Sequence, residues 1–149
     1  MKRFVEVHTG EIMAGGSDTV LRSNTNNACL VFIAYDSGKK IGGLAHSMFL
    51  QGELRRKWHA KDLYKAEKAI DELIEDMMML GSTREDIEIY MVTGENVPHK
   101  EHDPDYDSNL SAAIELLKQK NVRLHEKPSV DVGRAHVALD VETGAISYI

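Results

Sequence analysis

The chain has one cysteine, Cys29, at the head of an apolar run, and His46 lies in the apolar run that follows. A thiol attacks as its thiolate, so a cysteine that does chemistry needs a neighbour that lowers its pKa or removes its proton. Histidine does both. The stretch RSNTNNACLVFIAYDSGKKIGGLAHSMFL, residues 22–50, breaks its apolar text only at Asp36-Ser37-Gly38-Lys39, which predicts a hairpin turn between two strands. If Asp36 faces Lys39 across a two-residue loop, Val31 meets Leu44 and Cys29 meets His46. Opposed residues share a face of the sheet with β-carbons roughly 4.5 to 5.5 Å apart, close enough for a Cys/His nucleophile pair.

Such a pair needs a third group to hold the imidazole by its other nitrogen. Ser23 and Thr25, in the segment before the cysteine, are the candidates. Backbone N–H groups at the turn into Cys29 could bind a developing oxyanion, as tight turns beside nucleophiles often do. Spacing alone leaves a second role open, because a lone cysteine in an apolar strand is commonly a small buried hydrophobe. A second cluster, His99-Lys100-Glu101-His102-Asp103, has zinc-ligand residue types, but it lies in a Pro-broken acidic stretch without the helix of a metalloprotease motif. It reads as a solvated loop. Gly10, Gly15-Gly16 and Gly42-Gly43 lack the Lys-Ser/Thr of a phosphate-cradling loop, and Gly42-Gly43 predicts close backbone approach or a strand bend.

The elements that must position these residues follow from periodicity. Residues 28–36 and 40–48 predict the two central strands. One face carries Cys29, Val31, Ile33, Tyr35, Gly42, Leu44 and His46; the other carries Leu30, Phe32, Ala34, Ile41, Gly43 and Ala45. Two apolar faces mean cover on both sides. Short β-like pieces, Arg3 to His8 and Thr19 to Arg22, precede them as strands or loops that bring Ser23 beside the cysteine. From Asp62, apolar residues at Leu63, Ala66, Ile70, Leu73, Ile74, Met77 and Leu80 predict a helix ending at Gly81. In the run Met77 to Met79, at least one methionine must face the core. Ile87 to Val92 predicts a third strand, Asn109 to Lys120 a second helix capped by Ser108, and Val122 to Leu124 a short strand. Ala135 to Val141 and Ala145 to Tyr148 predict a closing hairpin around Glu142-Thr143-Gly144. The count, two main helices and eight or more strands, gives an α+β fold with mostly antiparallel sheets.

At 149 residues, without a linker or repeat, residues 1–149 read as one domain with a core that needs neither disulfide nor metal. One cysteine allows no internal disulfide, and neither a signal-peptide run nor a membrane-length apolar run occurs, so a soluble cytoplasmic protein is expected. The formal net charge is -6, and the basic residues are scattered apart from Arg55-Arg56-Lys57, against nucleic-acid binding. No cofactor is called for.

In ACLVFIAYD and IGGLAHSMFL the chain resembles the CheD family of chemoreceptor glutamine deamidases. In that family a cysteine opens an apolar strand and a histidine follows it seventeen positions on in a Gly-rich strand, as Cys29 and His46 do here. The closing GRAHVALDVETGAISYI, with Arg134 and its Glu-Thr-Gly hairpin, is similar too, so the resemblance spans nearly the whole chain. It implies a layered α/β/β sandwich and hydrolysis of a glutamine side-chain amide on a methyl-accepting chemoreceptor. Cys29 would be the nucleophile, His46 the general base and acid, and Ser23, where the family has threonine, the group that orients His46. It also implies a CheC-type phosphatase as partner. The chain departs from the family pattern at Asn27-Ala28, where Gly-Ser is usual, at Gln51, and at Thr93-Gly94-Glu95-Asn96. These departures define an alternative, a catalytically impaired binding module that regulates a receptor or a phosphatase.

Overall fold

The computed structural model describes residues 2–8, 10–24, 29–48, 60–93, 123–126 and 136–148. Its strands are β1 (Arg3–Glu6), β2 (Ile12–Gly15), β3 (Thr19–Asn24), β4 (Cys29–Asp36), β5 (Ile41–Met48), β6 (Glu88–Thr93), β7 (Arg123–Glu126), β8 (His136–Asp140) and β9 (Ala145–Tyr148). One long helix, α1 (Ala60–Met79), lies between β5 and β6, and a single 3-10 turn, Arg84–Asp86, leads into β6. The strands form a five-stranded sheet in the order β2-β5-β4-β6-β7 and a four-stranded sheet in the order β1-β3-β8-β9. Among the described strands, β1 with β3 and β6 with β7 pair in parallel, and the other ladders are antiparallel. The predicted helix Asn109 to Lys120, the His99–Asp103 cluster, Thr25, Asn27-Ala28, Arg55-Arg56-Lys57 and Arg134 lie outside the described residues.

The alternation in β4 and β5 decides the layering. Phe32, Ala34 and Ala45 face α1 and pack with Ile70, Leu73, Ile74 and Met77. Val31, Ile33 and Leu44 face the other way and pack with Leu21, Val137, Leu139 and Val141 of the four-stranded sheet. The five-stranded sheet is thus covered by α1 on one side and by the second sheet on the other. Gly42 and Gly43 make both approaches possible at one place. A Cβ on Gly42 would meet Leu139 at 2.8 Å, and one on Gly43 would meet Leu73 at 2.5 Å. The close-approach expectation for this pair holds on both faces.

The helix ends as its sequence predicts. Gly81, with φ 119°, donates to the Met78 carbonyl at 3.0 Å and Ser82 to that of Met77 at 3.1 Å. This double closure is a Schellman motif, which needs the left-handed residue that glycine tolerates. Met77 is buried in the core, while Met78 and Met79 stay exposed.

The expected facing of Cys29 with His46 is overturned. In the β4–β5 ladder Asp36 faces Ile41, Val31 faces His46 and Cys29 faces Met48. The cause is the turn. Asp36 Oδ1 accepts the N–H groups of Gly38 at 3.1 Å and Lys39 at 3.2 Å, and Lys40 takes φ 57° so that its N–H reaches the Asp36 carbonyl at 2.9 Å. Residues 37–40 therefore all belong to the loop, and the register slips by two positions rather than one. An even slip preserves which residues share a face, so Val31, Ile33, Leu44 and His46 stay together as predicted.

Candidate active site

His46 enters from β5, on the face that packs against the four-stranded sheet, and it is only 4% exposed. Opposite it comes Ser23 from β3, fully buried, two residues beyond the buried Leu21 on the same side of its strand. Ser23 Oγ lies 2.7 Å from His46 Nδ1 and 2.8 Å from the Val7 carbonyl oxygen. Three separate pieces of chain thus meet at one hydroxyl.

The protons of this trio are fixed by counting donors. The Val7 carbonyl can only accept, so the single hydroxyl proton of Ser23 goes to it. His46 Nδ1 must then carry a hydrogen and donate it to Ser23 Oγ. The neutral ring is held in its Nδ1–H form, and Nε2 keeps its lone pair. Nε2 is buried and has no hydrogen-bond partner among the described residues. Burial lowers the imidazole pKa below the usual histidine value by penalising the charged form; the Val7 carbonyl opposes this, and the charge of His8 adds to it. A buried, neutral imidazole of fixed tautomer with a free lone pair is equipped to take a proton.

Both edges of the His46 backbone are also held. On one side it lies against Val31 in the β4–β5 ladder. On the other, Gly10 N–H donates to the His46 carbonyl at 2.7 Å and His46 N–H donates to the Glu11 carbonyl at 3.1 Å. Cys29 opens β4, two positions from Val31, so its place in the ladder is diagonal to that of His46. Diagonal positions across an antiparallel pair are about 7 to 8 Å apart.

Of the two orienting candidates, Ser23 meets His46, whereas Thr25 lies outside the described residues. Sequence reading missed the Val7 carbonyl, which no side-chain pattern betrays, and the contribution of residues 10 and 11. Gly10 before the short apolar run Ile12-Met13-Ala14 was the available signal. Among the described residues no group of three or more His, Cys, Asp or Glu side chains is placed to hold a metal ion. Among them, too, no helix is long and apolar enough to cross a membrane.

No family model matches the chain. It is 30% identical over 142 residues to a probable chemoreceptor glutamine deamidase CheD of Chlorobium luteolum, covering 95% of this chain and 70% of that protein. A Methanococcus vannielii protein of the same description is 28% identical over 147 residues, covering 96% of this chain and 92% of its own length. One from Pseudomonas savastanoi pv. phaseolicola is 26% identical over 151 residues, covering 94% and 84%. Among solved structures, the Neisseria meningitidis protein NMB0706, of the family DUF152, superposes with a TM-score of 0.54 at 11% identity. That match covers 86% of this chain but 64% of the Neisseria protein, and it establishes a shared fold alone. Near full-length similarity to the deamidases, reaching 30% identity over 95% of this chain, is the stronger finding: the chain belongs to the CheD family.

Proposed function

We propose that this protein hydrolyses the side-chain amide of glutamine residues on a chemoreceptor, giving glutamate and ammonia. The thiol of Cys29 gives its proton to His46 Nε2, and the thiolate attacks the amide carbon. The C–N bond then breaks as His46 returns the proton to the departing nitrogen, leaving a thioester on Cys29. Water, deprotonated by the same Nε2, hydrolyses the thioester and restores the thiol. Ser23 keeps the ring in the tautomer that this cycle requires. Membership of the CheD family supports the substrate class, a cytoplasmic setting and a CheC-type phosphatase as partner.

The observation that carries the reading is the Val7–Ser23–His46 relay, which leaves a buried basic nitrogen at a ladder position diagonal to the chain's one cysteine. Cys29→Ala and His46→Ala should each reduce ammonia release from a glutamine-bearing receptor helix to background while leaving the circular dichroism spectrum unchanged. Release by Cys29→Ala at the wild-type rate would falsify the assignment. Asn27-Ala28 before the cysteine favours the alternative, a binding module without turnover. Iodoacetamide separates the two, since an activated thiol labels rapidly near neutral pH and an inert one does not.

A further inference from the structure

The short segment between β1 and β2 touches both partners of the Ser23–His46 hydrogen bond. At its start, Val7 donates its N–H to the Arg22 carbonyl at 2.8 Å and accepts the Ser23 hydroxyl at 2.8 Å. At its end, Gly10 and Glu11 hold the carbonyl and N–H of His46. Between these anchors lies a closed turn. Glu11 N–H donates to the His8 carbonyl at 2.9 Å, and Gly10 has φ 85°, a left-handed conformation that glycine adopts without strain. Glu11 Oε1 in turn accepts the His8 N–H at 2.8 Å. The two residues are tied reciprocally, and the second tie is a charge-assisted bond to a carboxylate.

This geometry matters because Ser23 and His46 belong to different sheets. Their 2.7 Å contact depends on how those sheets are placed, and Val7, bonded to β3, with Gly10 and Glu11, bonded to β5, ties the strands concerned. We propose that the His8–Glu11 turn sets the Ser23–His46 alignment and that Glu11, by closing it, is a positioning residue for the reaction. The proposal rests on the deamidase reading above for its catalytic consequence, though not for its effect on the ring. Glu11 is exposed, so removing its carboxylate takes nothing out of the core.

The test uses the full chain with Glu11→Ala and Glu11→Gln, the amide retaining an acceptor oxygen for the His8 N–H. In 15N spectra near neutral pH the wild-type His46 ring should be held as the Nδ1–H tautomer, Glu11→Ala should mix the tautomers, and Glu11→Gln should restore the wild-type pattern. Ammonia release should fall at least about tenfold in kcat with little change in KM for Glu11→Ala, as a small misplacement of a catalytic base does, and recover with Glu11→Gln. A Glu11→Ala protein with the wild-type tautomer and rate would overturn the proposal, and so would a Glu11→Gln protein as impaired as Glu11→Ala. If wild type releases no ammonia, the deamidase reading falls while the spectra still decide the role of Glu11.

Discussion

The two faces of the β4–β5 hairpin are packed to similar depth by different chemistry. Toward α1, Phe32, Ala34 and Ala45 pack with Ile70, Leu73, Ile74 and Met77 of the helix, and the next residue of that alternation, the buried Asp36, is partnered by the Ser82 hydroxyl. Toward the second sheet, the apolar set Val31, Ile33 and Leu44 is extended by His46 and Tyr35. Tyr35 donates its hydroxyl to the Val141 carbonyl at 2.8 Å, and its ring lies against Gly144. A buried polar atom is costly unless it is partnered, and each of these contacts discharges that cost except at His46 Nε2. Among the described residues, the buried polar side-chain atom left unpartnered is thus on the sheet side. On that side, the residues that pack the core also include the group proposed above to take the thiol proton.

That division can be broken from either face. Leu73→Ala, which empties the helix side above Gly43, should destabilise the fold by about 2–5 kcal/mol in urea titration, while activity per folded molecule holds. Should turnover fall with stability, the two faces are not separate. Ser23→Ala should cost less, about 1–3 kcal/mol, because it leaves the Val7 carbonyl and the His46 Nδ1–H without their buried partner. It should lower kcat as well, so that one substitution on this face moves both measurements.

The smallest effect is on pH. His46 has a folded pKa below its unfolded value near 6.5, since burial disfavours the imidazolium. The unfolded chain then binds the proton first, so stability is complete above that value and declines as pH falls from it toward the folded pKa. The acid limb of the rate profile should lie below 6.5 for the same reason. His46→Gln should flatten the decline in stability, and an unchanged slope would assign it to other groups.

Much of this arrangement was legible in the sequence, for reasons that can be named. Period-two alternation sorted β4 and β5 into their two faces correctly, and the three-four spacing with Gly81 placed α1 and its end. The register was missed because it depends on turn chemistry. Asp36 gathers two N–H groups, its other oxygen is fixed by the Ser82 hydroxyl at 2.8 Å, and Lys40 adopts a conformation unusual for its type. The closing hairpin repeats the device: Asp140 Oδ1 accepts the Glu142 N–H at 3.1 Å, and Gly144, with φ 78°, reaches back to the Asp140 carbonyl at 2.7 Å. There, glycine announced the turn; at Lys40, nothing did. β2 escaped notice because Ile-Met-Ala-Gly has little strand preference and is held by its neighbour β5. Ser23 was visible as a hydroxyl at the right distance, but the carbonyl that fixes its proton belongs to the backbone and leaves no mark in the text.

The pairing of Ser23 with Val137 has a consequence for the order of events in folding. The β4–β5 hairpin joins strands adjacent in sequence and needs no distant partner to pair, and it gains stability once α1 and β6 pack on it. β3 lies between β1 and β8, and β1 with β3 alone is a two-stranded ribbon, too small to be stable by itself. Closing a ladder between strands far apart in sequence is slow, because the entropy of the long loop is lost before the contacts form. A nascent chain therefore carries its cysteine before β8 has been made, and the β3–β8 ladder, in which Ser23 pairs with Val137, closes only after that.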